Sequence, residues 1–225
     1  MERNTIEAVI FDLDGVITDT AHYHFLAWKQ LADELDISID AEFNELLKGV
    51  SRIESLELIL RKDNRENEFT PSEKEKMAER KNILYRELLR DLSSKDVLPG
   101  ISDLISKIKL EGLPIGIASV SKNAQTVLKA LELEETFDYV VNASNIKRSK
   151  PDPEIFLTAC ENLGANPKKS IGIEDAAAGI GAILASGMFA VGVGETLHRA
   201  HFKVSTTDEL QWELIKAAYR NSFES

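Results

Sequence analysis

Two aspartates one residue apart, Asp12 and Asp14, follow the apolar run Val9-Ile10-Phe11 and are followed at once by Gly15. Two carboxylates this close repel unless a cation or a shared proton relieves them. A divalent metal does so, and Mg²⁺ favours carboxylate oxygens. One carboxylate is then available as a nucleophile, and the other, held neutral, as a general acid or base. On a continuing strand both would point to one face, and Gly15 allows a sharp turn there. A lone aspartate at this place would read as a helix cap.

Three more stretches pair an apolar run with reactive residues. PIGIAS ends in Ser119, followed by Val120, Ser121, Lys122 and Asn123. Hydroxyls and amides there suit a phosphate cradle at a helix N-terminus, or equally a plain N-cap. Lys150 stands before Pro151-Asp152-Pro153, where an ammonium can neutralise a phosphate or an aspartyl phosphate. SIGIED ends in Glu174-Asp175. Asp175 suits the cap of the next helix, and the acidic pair also supplies further metal ligands. Nucleophile, hydroxyl, lysine and metal carboxylates together are far more specific than any one of them.

The elements that must carry these residues follow from periodicity. Residues 6–11, 114–119, 139–144, 170–175 and 189–194 read as short strands, and 100–111, 122–133 and 153–163 as helices. Alternating strands and helices predict a parallel sheet with helices on both faces, which binds ligands at the carboxyl ends of its strands. Residues 20–92 break the alternation: FLAWKQLADEL, NELLKGV, SRIESLELILR and SEKEKMAERKNILYRELLRDL all show helical apolar spacing, and Leu98-Pro99-Gly100 marks the return. The charged segment 61–76 reads as a solvated loop and helix start, with Ser72 and Glu75 as a capping box.

Composition bounds the function. The 225 residues fit one large domain or two smaller ones, and 43% hydrophobic residues suffice for a core. A net charge of -11 argues against a nucleic-acid partner, but not against an anionic substrate met by a local cation. No apolar run is long enough for a membrane span, no signal-peptide plan opens the chain, and Cys160 has no second cysteine to pair with; a cytoplasmic protein is expected.

In order, DxDG at 12–15, Ser119, Lys150 before a proline, and the pair 174–175 match the four motifs of the haloacid dehalogenase (HAD) superfamily of phosphotransferases, which this chain resembles. The resemblance implies an α/β fold: a Rossmannoid core with a parallel sheet over 1–17 and 93–225, and an inserted four-helix cap domain over 18–92. It implies that Asp12 attacks the phosphoryl group. Asp14 would protonate the leaving oxygen and later deprotonate the attacking one. Asp12, Glu174, Asp175 and the backbone carbonyl of Asp14 would hold one Mg²⁺. Ser119 and Lys150 would bind the transferring phosphoryl oxygens.

Residues outside the four motifs resemble the sugar-phosphate mutases of that superfamily. They are Thr20, His24 and Trp28; Lys48, Gly49, Val50, Ser51 and Arg52 of LKGVSR; Lys81; and Val120 to Asn123. A mutase must hold a sugar with one phosphate reacting and one parked, so it needs an anion site on core and cap alike. By resemblance Arg52 grips the parked phosphate, Lys81 contacts substrate, Thr20 sits at a hinge, and His24 helps position Asp14 on cap closure. The implied reaction interconverts β-D-glucose 1-phosphate and glucose 6-phosphate through a phosphorylated Asp12 and β-glucose 1,6-bisphosphate. A monomer binding a small sugar phosphate, with no membrane partner, is expected; the alternative is a sugar-phosphate phosphatase of the same superfamily. Three departures from the family pattern stand out: Val120 in place of a smaller residue, Ala176 where serine is common, and HRAHFKV at 198–204 in place of a turn with aspartate.

Overall fold

A computed structural model describes residues 5–222. Six parallel strands form one sheet in the order β3-β2-β1-β4-β5-β6. They are β1 (Ala8–Phe11), β2 (Ile115–Ile117), β3 (Tyr139–Val140), β4 (Ser170–Glu174), β5 (Phe189–Val193) and β6 (Phe202–Val204). The sixth lies inside the atypical 198–204 segment, where the periodicity predicts no strand.

Alternation along the strands builds two cores. Val9 and Phe11 of β1 pack with α5 (Ile101–Leu110), α6 (Ala124–Ala130) and α9 (Trp212–Asn221). Ile10 faces the other way, onto α7 (Glu154–Leu163) and α8 (Ala177–Ser186). On that face the sheet carries small residues, which lets the helices approach closely. A Cβ on Gly172 would lie only 2.7 Å from Ile183 of α8. The helix predicted over 122–133 is shorter, because residues 119–123 form a loop of side-chain-to-backbone turns.

Four helices stand between β1 and α5: α1 (Ala21–Glu34), α2 (Ala41–Glu45), α3 (Arg52–Lys62) and α4 (Pro71–Leu88). They bury a cluster of their own that includes Trp28, Leu31, Leu56, Ile59, Leu60 and Ala78. Ala27 and Tyr85 instead join the core that holds Val9 and Phe11, so α1 and α4 each bridge their own cluster and that one face of the sheet. The two chain crossings between helices and sheet run side by side: Leu98 N–H donates to Ile17 O at 2.9 Å, and Thr18 Oγ1 to Asp96 O at 2.8 Å. The capping box of α4 is Thr70 with Glu73, not Ser72 with Glu75. Pro71, which suits the first helical position, fixes the start there and leaves Ser72 inside the helix.

Candidate active site

Strand register brings the predicted residues to one level. Phe11 is opposite Ile117 on one side and Ile173 on the other, so Asp12, Ser119 and Glu174 emerge together at the carboxyl edge. β1 is where the strand order reverses direction, the place where open α/β sheets bind ligands.

Lys150 lies buried beneath this edge. Its Nζ donates to Asp12 Oδ1 at 2.5 Å and to Glu174 Oε2 at 2.8 Å. The other Glu174 oxygen accepts the Asp175 and Ala176 N–H groups at 3.1 and 3.0 Å. The serine that is common at position 176 is therefore not needed for this contact. The N-cap of α8 is Ala176 rather than Asp175, whose carboxylate is left for the site.

Charge is out of balance here. Burial pushes Asp12 up to about 7, helped by Glu174 and opposed by Lys150. Burial and then the Asp12 charge raise Asp14 to about 8, and they raise Asp175 to about 7. Burial also raises Glu174. Burial disfavours the Lys150 charge, yet Asp12 and Glu174 hold it above the ordinary lysine value. Asp14 Oδ1 is buried without a hydrogen-bond partner. Asp12, Glu174 and Asp175 each offer an oxygen, all within 4.8 Å of one another. An all-carboxylate set that cannot ionise together fits a hard divalent cation.

Two glycines let the carboxylates sit there. Gly15 has φ +80°, and a Cβ on it would lie 2.1 Å from Asp175 Oδ2. A Cβ on Gly179 would lie 1.9 Å from Glu174 Oε2. Any side chain at either position would displace a metal-facing carboxylate.

The four helices roof the edge. A cavity of about 450 Å³ is lined by Asp12, Asp14, His24, Trp28, Lys48, Gly49, Val50, Ser51, Arg52, Lys81, Ser119, Val120, Ser121, Lys122, Asn123 and Asp175. Thr20, Lys150 and Glu174 are buried around it rather than lining it. Thr20 accepts from Tyr85 Oη at 3.2 Å. Lys48 reaches from the roof to Asp175 at 3.7 Å while holding Glu45 at 3.0 Å. Lys81 is buried, and its ammonium lies over the Trp28 and Tyr85 rings. Burial and the nearby Arg52 lower Lys81 to about 7, with Asp14 opposing. Val120 packs against the α7–α8 core as well as lining the cavity, which accommodates its larger side chain.

The haloacid dehalogenase-like hydrolase family matches residues 6–187. The chain belongs to this family. Within it, the chain is 48% identical over 212 residues to the β-phosphoglucomutase of Bacillus subtilis (strain 168), spanning 93% of this chain and 94% of that protein. The structure superposes on a crystal structure of β-phosphoglucomutase from Clostridium difficile with a TM-score of 0.96 and 47% identity, covering 98% and 100% of the two chains. A phosphorylated carbohydrates phosphatase of Thermotoga maritima is 30% identical over 189 residues, 81% of this chain and 82% of that one. The HAD fold and the resemblance read from the four motifs both stand.

Several residues of the site escape the motif reading. Asn82 and Tyr85 lie with Ala78 and Lys81 on the buried face of α4. A lysine and an asparagine at buried positions of an amphipathic helix are the signal that could have found them. Glu79, which pairs with Arg52 at 3.1 Å, carries no such mark.

Proposed function

We propose that the chain interconverts β-D-glucose 1-phosphate and D-glucose 6-phosphate through β-glucose 1,6-bisphosphate. The observation that carries this reading is one cavity with cationic and amide groups on opposite walls: Arg52 and Lys81 from the roof, Ser119, Ser121, Lys122 and Asn123 from the sheet edge. A hydrolase of monophosphates has no use for a second phosphate grip.

An Asp12 carboxylate oxygen attacks phosphorus, and the bond from phosphorus to the sugar oxygen breaks. Asp14, kept neutral by burial and by Asp12, gives its proton to that oxygen. In the return step Asp14 takes the proton of the sugar hydroxyl that attacks phospho-Asp12. The 6-hydroxyl of β-glucose 1-phosphate takes the phosphoryl group of phospho-Asp12 to give the bisphosphate, which turns around and returns its 1-phosphoryl group to Asp12, leaving glucose 6-phosphate. Lys150 and Ser119 hold the transferring oxygens. Arg52, with its planar fork, grips the parked phosphate. Asp12, Glu174, Asp175 and the Asp14 main-chain carbonyl would hold Mg²⁺, which when bound offsets the charge of the transferring phosphoryl group.

In this reading residues 18–92 act as a cap on a core of 1–17 and 93–225, and closure excludes water from phospho-Asp12. The paired crossings at 17–18 and 96–98 support a hinge there. In this reading the protein works as a monomer. A cytoplasmic setting fits the single buried cysteine; among the described residues no helix is long and apolar enough to cross a membrane.

The test is a paired assay with Mg²⁺ and β-glucose 1-phosphate, primed with glucose 1,6-bisphosphate. Glucose 6-phosphate is expected to form much faster than free phosphate, and Asp12→Asn should abolish both. Phosphate release with little glucose 6-phosphate would make the protein a sugar-phosphate phosphatase.

A further inference from the structure

A chain of side-chain hydrogen bonds runs from the cap's phosphate grip to the core's. Arg52 Nη1 donates to Glu79 Oε2 at 3.1 Å. Asn82 Nδ2 donates to the other oxygen of Glu79 at 3.3 Å. Asn123 Nδ2 donates to Asn82 Oδ1 at 2.8 Å, and that contact is buried. Asn123 is fixed at its other end by its own N–H, which donates to Ser121 Oγ at 3.2 Å. The path thus starts on α3, crosses α4 and ends in the loop 119–123 of the sheet edge.

The chemistry of each member makes this path directional. Asn82 uses both ends of its amide in opposite senses, donor to Glu79 and acceptor from Asn123. Flipping it would set two N–H groups against each other in a buried contact, so its orientation is determined. Arg52 and Asn123 each spend one donor on the path and keep others for a ligand. The Asn82–Asn123 bond joins a cap helix to a core loop, so it exists only while the cap lies on the core. Glu79 is the anion at the centre of the path and holds the Arg52 fork in place before a phosphate arrives.

We infer that Asn82 is a positioning residue that couples the Arg52 grip on the cap to the Asn123 grip on the core, so that closing the cap aligns both for the parked phosphate at once. Asn82 lines the cavity, but its two amide ends are occupied by protein, so it acts through its neighbours. This rests on the mutase reading, because only a mutase parks a second phosphate between these two groups.

The experiment is a double-mutant cycle on the full chain with Mg²⁺, following glucose 6-phosphate and free phosphate separately. Asn82→Ala is expected to lower kcat/KM about tenfold and to raise the share of free phosphate, as a misaligned grip lets water reach phospho-Asp12. Arg52→Ala should cost about tenfold less in the Asn82→Ala background than in the wild type, because a coupled pair is not additive. A residue that only supports the fold would shift the melting temperature and leave the two kinetic effects multiplying independently. Should Asn82→Ala fail to fold, Asn82→Asp has the same shape and repels Glu79 while still accepting from Asn123; the same non-additivity is expected. Independent multiplication, or Asn82→Ala turning over within about twofold of wild type, overturns the coupling and leaves the mutase reading standing. A wild type that releases phosphate without glucose 6-phosphate overturns both.

Discussion

Lys81 Nζ lies 2.6 Å from His24 Nδ1, so two basic side chains share one hydrogen bond. Lys81 can donate only if His24 Nδ1 is unprotonated, which puts any imidazole proton on Nε2. Burial, then Lys81, then Arg52 drive His24 well below its ordinary value, so it stays neutral in the folded chain. The positive field of the cavity roof near Asp14 therefore comes from Lys81 and Arg52 and not from His24.

That field is held at the expense of stability, and Lys81→Met should reveal it. The folded chain lowers Lys81 from 10.5 to about 7. Below about pH 7 the fold bears the full cost of the buried charge, and the cost fades as pH rises towards the unfolded value. At neutral pH, Lys81→Met is expected to raise stability by about 2 kcal/mol, seen in chemical denaturation. The same change should lower kcat/KM on the order of a hundredfold, by removing a cation aimed at the substrate. A variant that is both less stable and fully active would refute this account of Lys81.

Metal binding should depend on pH in a defined direction. Asp12, Asp14 and Asp175 titrate at about 7, 8 and 7 in the folded chain, against 3.8 ordinarily. Between about pH 4 and 7 the folded chain keeps protons that the unfolded chain has lost, so metal-free stability falls as pH rises across that window. Mg²⁺ must displace those protons, so its affinity rises over the same window. Added Mg²⁺ should raise the melting temperature by several degrees near pH 8 and by little near pH 5. An equal shift at both values would contradict the charge balance described.

Gly15→Ala tests the close approach to Asp175. The new methyl would meet the carboxylate at 2.1 Å, in a backbone conformation that disfavours a side chain. Mg²⁺ affinity, measured by titration calorimetry, is expected to fall at least about tenfold, as when a metal ligand loses its support. Unchanged affinity would mean that Asp175 is not needed for the metal.

Cys160 should be chemically silent. It is fully buried, it donates to Met188 Sδ at 3.8 Å, and burial pushes its thiol up to about 11. A thiolate is the reactive form, so a thiol reagent at neutral pH should label no cysteine in the native chain and one after unfolding. Rapid native labelling would place the α7–α8 core open to solvent.

The chemistry at the strand ends is legible in the sequence because it is local. The short apolar runs in AVIF and SIGIE mark fully buried strands and where each one stops, and the residues at that end stand at the edge. Asp12, Ser119 and Glu174 follow from that counting, and the helical spacing of 20–92 marks the cap. Local rules also misplace details: Thr70 rather than Ser72 caps α4, because Pro71 settles the first helical position. What only the tertiary structure decides are contacts between distant segments. His24 meets Lys81 across 57 positions, and Asn82 meets Asn123 across 41. Gly15 and Gly179 become indispensable only once Asp175 and Glu174 stand against them. Such contacts depend on how the cap helices lie over the sheet, and that geometry comes from packing many side chains together, which no short stretch of sequence encodes.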